Sequence, residues 1–219
     1  MSAAVAEALG KPRLRGVLHQ AAFLVSVPLA AVLIVAADGP RARLAAAVFS
    51  VAVAACFGAS ALYHRVNWRP QVRPWMRRLD HAGVFLLIAG SYTPVCLLTL
   101  TGVLRTVVLA IVWTGAAAAI VLKFVWVGAP KWVAVGIALA LGWVAVAALP
   151  QLVERLNPAA VALLMVGGLA YTAGAIIYAR RRPDPLPAVF GYHELFHALT
   201  IVAVACQYTA IALYVIRVG

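Results

Sequence analysis

Long apolar runs separated by short polar segments dominate the pattern of this chain of 219 residues. The runs are uninterrupted rather than amphipathic, and each is close to the ~20 residues that a helix needs to cross the hydrocarbon of a membrane. There are seven of them, at residues 17–37, 44–63, 82–100, 103–122, 132–149, 159–179 and 195–215. The pattern predicts an all-α membrane protein with seven transmembrane helices.

The connections between the runs are short and contain helix breakers such as Asp38-Gly39-Pro40 and Asn157-Pro158. They leave no room for a second soluble domain. We predict a cytoplasmic N-terminal segment at residues 1–16 and one transmembrane domain at residues 17–219. The first run could also be a signal peptide, but its roughly 21 residues exceed an ordinary signal core, so a first span is favoured.

The net charge of +12 would suggest nucleic-acid binding in a soluble protein. In a membrane protein the positive-inside rule accounts for it, because cytoplasmic connections carry excess Lys and Arg. With the N-terminus inside, thirteen of the 18 basic residues lie on the cytoplasmic side. We therefore predict a multi-pass protein of the cell inner (plasma) membrane with a cytoplasmic N-terminus, an external C-terminus and no nucleic-acid partner.

Polar residues interrupt the apolar pattern at three related places. Ser60 and His64 end the second run, Asp80 opens the third, and His193 and His197 open the seventh within the sequence HELFH. Histidines four apart share a helix face, so both rings can reach one metal ion. Since the end of span two and the starts of spans three and seven share the cytoplasmic face, His64 can supply a third ligand. His19, near the start of the first run, and His81 are interpreted as interfacial residues or hydrogen-bond donors rather than metal ligands.

Three imidazoles leave one position of a zinc ion open for water, which is typical of a catalytic site. Asp80 could orient that water, and Ser60 could donate a hydrogen bond to it or to a carbonyl oxygen. Two alternatives stay open. Asp80 could form a surface ion pair or cap the third helix. HELFH also fits the H-E-x-x-H motif of metalloproteases, with Glu194 as general base.

Taken together, the sequences SALYHRV, RLDHAGVFLLIAGSYTP and GYHELFHALT resemble the hemolysin III branch of the progestin and adipoQ receptor (PAQR) family. The N-terminal KPRLRGVLH is similar to the same branch. The resemblance implies that His64, His193 and His197 bind Zn²⁺, that Asp80 holds the water and that Ser60 lies beside it. The position of Glu194 is not among the family's defining residues, which disfavours the protease.

The resemblance also carries expectations about function. The family includes animal adiponectin receptors, for which ceramide hydrolysis is proposed, and bacterial members linked to cytolysis and membrane homeostasis. We expect a zinc-dependent hydrolase of a lipid amide or ester at the cytoplasmic leaflet, with membrane lipids as partners and no protein partner indicated. The alternatives are a non-enzymatic sensor or regulator of membrane homeostasis with a structural zinc, and a cytolysin.

Overall fold

The protein consists of helices joined by short connections in the part described by the computed structural model, which covers residues 12–126 and 128–217. Seven helical spans are long and apolar enough to cross a membrane. The fifth span consists of α5, a 3₁₀ turn at Val144–Ala148 and α6, and a second 3₁₀ turn follows at Val215–Arg217. The α-helices are α1 (Val17–Ala36), α2 (Gly39–Arg65), α3 (Arg73–Thr99), α4 (Gly102–Val125), α5 (Lys131–Trp143), α6 (Leu149–Arg155), α7 (Pro158–Arg180) and α8 (Tyr192–Leu213).

The predicted all-α, seven-span architecture is confirmed, but several helices extend beyond their apolar runs. The helix α3 begins at Arg73, nine residues before the predicted start of the third span. Helical residues outside the hydrocarbon tolerate charge, so hydropathy locates the membrane rather than the helix end. Asp80 therefore lies two turns inside α3, and the alternative that it caps this helix is wrong.

The helices α2 and α3 form the closely packed centre of the bundle. Small side chains such as Ala46, Ala52 and Ala89 are buried along their contact. A methyl group added at Gly83 would lie 3.0 Å from the Cα atom of Cys56. In hydrocarbon, close backbone approach of this kind provides the packing energy that holds helices together. The pair α2 and α3 is thus a firm support for His64 and Asp80.

The fifth span is broken at the 3₁₀ turn, and Tyr92 of α3 supports the break. The Tyr92 hydroxyl accepts a hydrogen bond from the Ala145 backbone N–H at 2.8 Å and lies 2.6 Å from the carbonyl oxygen of Gly142. Backbone groups released from a helix inside a membrane need such partners. The single span predicted at residues 132–149 is therefore two helices joined through a side chain of α3.

The residues before α1 pack onto the connection between α7 and α8. The Arg13 and Leu14 N–H groups donate to the carbonyl oxygens of Ala188 and Val189 at 3.0 and 3.1 Å. The prediction of a cytoplasmic segment at residues 1–16 falls partly on residues 1–11, which lie outside the described residues. Its placement on the cytoplasmic side stays a prediction.

Candidate metal centre

The first turn of α8 presents His193 and His197 on one face. The helix begins after Gly191, whose N–H donates to Oε2 of Glu194 at 2.9 Å in a capping-box arrangement. This fixes the start of the helix, and the spacing of four then stacks the two histidines one turn apart. Their ring centroids are 4.4 Å apart.

His64, in the last turn of α2, completes a group of three rings. Its Nε2 atom lies 3.1 Å from Nε2 of His193, and the potential ligand atoms of all three histidines lie within 4.8 Å of one another. Two nitrogens bound to one tetrahedral zinc at 2.0–2.1 Å are separated by about 3.3 Å. The structure thus brings together the three residues predicted as ligands, in a spacing that fits one ion.

Asp80 and Ser60 lie beside this group. Oδ2 of Asp80 is 3.6 Å from Nε2 of His64. Ser60 is 2% exposed, and its hydroxyl lies close enough to the Asp80 carboxylate to interact with it. Both residues line the cavity described below.

His19 is a further neighbour of the group. It is 3% exposed, and its ring stacks on the ring of His197 with centroids 3.8 Å apart and planes inclined by 9°. His19 is thus buried beside the three predicted ligands without belonging to the group whose ligand atoms lie within 4.8 Å of one another. The signal for this position in the sequence was its place at the start of span one, on the same face as the other histidines.

Glu194 has a structural role. It is completely buried, one carboxylate oxygen accepts the Gly191 N–H, and the other pairs with the Arg15 guanidinium. A general base needs a free lone pair directed at the reacting water. Since both oxygens of Glu194 are engaged away from the histidines, this geometry disfavours the metalloprotease alternative.

The donor set suits zinc, which is commonly bound by histidine nitrogens. His64 and His197 are buried, and Nδ1 of His197 has no hydrogen-bond partner among the described residues. An imidazole nitrogen buried without a partner is unfavourable unless a ligand satisfies it. The three histidines therefore have the chemistry and the spacing to hold a metal ion.

A cavity of about 260 Å³ leads away from the metal group into the bundle. Its walls come mainly from α3, the fifth span, α7 and α8, and most of the lining side chains are apolar. Along α3 the lining runs from Asp80 to Val95, which corresponds to about 22 Å of helix. The histidines and Asp80 thus lie at one end of a long apolar cavity. This shape matches a lipid, which has a polar headgroup at one end of an acyl chain.

These features define a class: a polytopic membrane protein with a histidine cluster at one end of its helical bundle. A sequence profile described as Haemolysin-III related matches residues 8–208. The chain belongs to this family. It is 30% identical to Hemolysin-3 of Bacillus cereus, covering 90% of this chain and 89% of that protein. It is 27% identical to the Hemolysin-3 homolog of Bacillus subtilis (strain 168), covering 91% and 92%.

Proposed function

We propose that this protein is a zinc-dependent hydrolase of a lipid amide or ester, embedded in the plasma membrane with the histidine cluster in the cytoplasmic leaflet. The observation that supports this most is the position of His64, His193, His197 and Asp80 at the end of a long apolar cavity. A site of this shape positions the polar linkage of a lipid beside the metal and its acyl chain in the bundle.

The three histidines hold the ion in this proposal. Bound zinc supplies a Lewis acid that polarises the carbonyl group of the substrate and makes water nucleophilic near neutral pH. Asp80 accepts the proton of the attacking water at Oδ2 and returns it to the leaving amine or alcohol. Ser60, whose hydroxyl is buried beside Asp80, donates a hydrogen bond to the carbonyl oxygen as negative charge develops there.

The test is release of fatty acid by the zinc-loaded protein in liposomes, with a ceramide and a monoacylglycerol as separate substrates and mass spectrometry as the readout. Asp80→Asn should lower turnover by roughly 10²-fold or more while zinc stays bound, because the proton acceptor is lost. Glu194→Gln is the matched carboxylate-to-amide control and should keep turnover in the fraction that folds.

Two results would contradict the proposal. No release of fatty acid from either substrate or from a lysophosphatidate, at full zinc occupancy, would favour a structural zinc in a regulator of membrane state. Loss of turnover in Glu194→Gln, with turnover retained in Asp80→Asn, would instead assign the base to Glu194.

The structural alternative has its own support in the packing of the site. The histidine group joins α2 to α8, and the Arg15–Glu194 pair joins the N-terminal segment to α8. A zinc held by these histidines would fasten the last span to α2 at the centre of the bundle. In that case metal removal would lower the melting temperature, and no lipid would be turned over.

A further inference from the structure

Two lysines lie where the cavity reaches the end of the bundle that carries the histidines. Lys123 is in the last turn of α4, and Lys131 is the first residue of α5. Both side chains line the same cavity as Asp80 and His193. Lys123 is only 3% exposed, so its ammonium group is withdrawn from bulk water. This is an unusual position for a lysine in a membrane protein and indicates a function.

Neither lysine forms an ion pair with a carboxylate of the described residues. The ion pairs found there join Arg15 to Glu194 and His64 to Asp80. Lys131 donates to the Tyr192 hydroxyl at 3.3 Å and lies 4.4 Å from the centre of the Tyr178 ring. These contacts hold the ammonium group between two neutral tyrosine side chains and do not neutralise it.

The surroundings reinforce the positive charge. Lys123, Lys131 and Arg77 all lie within electrostatic range of His81, which also lines the cavity. The C-terminal end of α4 contributes partial negative charge near Lys123, which lowers the cost of burying it there. That contribution is equivalent to about half an elementary charge, so the two lysines still exceed it together with the one negative charge of Asp80, which lines the same cavity.

We infer that Lys123 and Lys131 form a headgroup subsite that binds the phosphate of an anionic lipid, whose acyl chain extends into the apolar cavity. A phosphate monoester carries a charge of about −1.5 to −2 near neutral pH, which suits a mouth with several cations better than a singly charged carboxylate does. The subsite shares its cavity with the proposed hydrolase site, and in this respect the inference deepens the proposed function by naming a substrate class.

The test measures equilibrium binding to the purified, zinc-loaded protein in a neutral maltoside detergent. The probes are oleoyl lysophosphatidate, oleate, monoolein and inorganic phosphate. Lysophosphatidate should bind the wild type more tightly than the other three. Lys123→Met should weaken its binding by about tenfold or more, because a desolvated charge pair is lost. Binding of monoolein should stay unchanged.

Two variants distinguish an effect of the positive charge in the subsite from an effect on the fold. Lys123→Arg keeps the charge and should retain binding. Arg105→Met removes one positive charge from the opposite end of the same helix α4 and should leave binding unchanged. Melting temperature and zinc content, measured in the same detergent, identify any variant that fails to fold. If Lys123→Met does not fold, the comparison is made with Lys131→Met.

Several results would overturn the inference. The wild type could bind lysophosphatidate and monoolein with equal affinity, or bind oleate as tightly as lysophosphatidate. Alternatively, Lys123→Met could weaken the binding of lysophosphatidate and of monoolein by the same factor. Inorganic phosphate bound as tightly as the lipid would assign the site to a free anion. Since binding needs no turnover, lysophosphatidate binding without hydrolysis of any lipid would contradict the proposed function alone. Hydrolysis with binding unaffected in Lys123→Met would contradict this inference alone.

Discussion

Four imidazole rings cluster at the start of α8, and His197 contacts the other three. The ring of His197 stacks on His19 and lies 4.4 and 5.4 Å, between centroids, from His193 and His64. The carboxylate of Asp80 lies beside the cluster, with its Oδ2 atom 3.6 Å from Nε2 of His64. Neutral imidazole is the form that binds zinc.

Removal of a single histidine tests the ligand set. His64→Ala and His197→Ala should each lower zinc from about one ion per chain to a small fraction of that value, because a two-histidine site holds zinc weakly. The matched control is His81→Ala, which removes a cavity-lining histidine outside the group and should keep its zinc. Elemental analysis of the purified variants measures the stoichiometry. Unchanged zinc in both ligand variants would refute the assigned shell.

His19 should act through its stacked ring rather than as a ligand. His19→Ala should weaken zinc binding by about tenfold, as expected for loss of a group that orients a metal ligand. His19→Phe keeps an aromatic ring against His197 and should retain most of the affinity. Competition with a chelator of known zinc affinity measures both variants. Equal weakening in the two variants would indicate that a nitrogen of His19, and not its stacking, is required.

The convergence of His64, Asp80 and α8 could be predicted from the sequence, because the order of spans dictates which helix ends share a face. The stacking of His19 could not, since one histidine at the start of a span has no spacing partner. The role of Glu194 was also hidden. Its partner Arg15 lies 179 residues away, and only the folded chain shows that they meet.

At the scale of elements, a glycine at the end of the N-terminal segment allows the start of α1 to lie close to the site. Gly16 precedes α1 with a positive φ of 79°, and a methyl group added there would lie 2.5 Å from Cβ of His64. Glycine is therefore required at this position for two reasons: the left-handed backbone conformation, and the close approach to the side chain of His64. The segment that carries Arg15 is thereby held directly against the last turn of α2.

Two glycine variants separate these requirements. Gly16→Ala and Gly39→Ala both place a side chain at a positive φ, at a cost of about 1–2 kcal/mol. Nothing lies within 4 Å of a methyl group at Gly39, whereas the methyl group at Gly16 must displace His64. Both variants should melt at lower temperature, but only Gly16→Ala should also lose zinc affinity. Equal zinc affinity in the two would show that the close approach does not constrain the site.

The sequence predicted which segments are helices more accurately than it predicted where each helix begins and ends. An apolar run reports which residues lie in hydrocarbon, so it missed the first two turns of α3 around Arg77. The sequence likewise did not predict the break at Val144–Ala148, because valine and alanine are not residues typical of turns. It depends on the hydroxyl of Tyr92, some fifty residues earlier in the chain.

At the scale of the whole molecule, the basic connections and the histidine group lie at the same end of the bundle. The connections 66–72 and 181–191 follow even-numbered spans, as does the one after α4, so all three share this end with the N-terminal segment. Apolar side chains such as Val35 and Val125 are exposed on the outside of the bundle, as expected for lipid contact.

This arrangement predicts the orientation in the membrane. In a Cys206→Ala background, where Cys56 and Cys96 are buried, single cysteines serve as reporters. Asp38→Cys should react with a membrane-impermeant maleimide in intact cells, and Arg69→Cys only after the membrane is permeabilised. The reverse labelling pattern would place the metal group on the outer face.

The contact between α2 and α8 also determines when the site can form during biosynthesis. His64 and His193 meet at 3.1 Å but are separated by 129 residues, which takes roughly 6 to 26 s to synthesise at typical rates. During that interval, His64 and Asp80 are present in the membrane without their partners on α8. The three ligands of the proposed zinc site therefore come together only when the last span has been inserted, so zinc loading would report completion of the whole bundle.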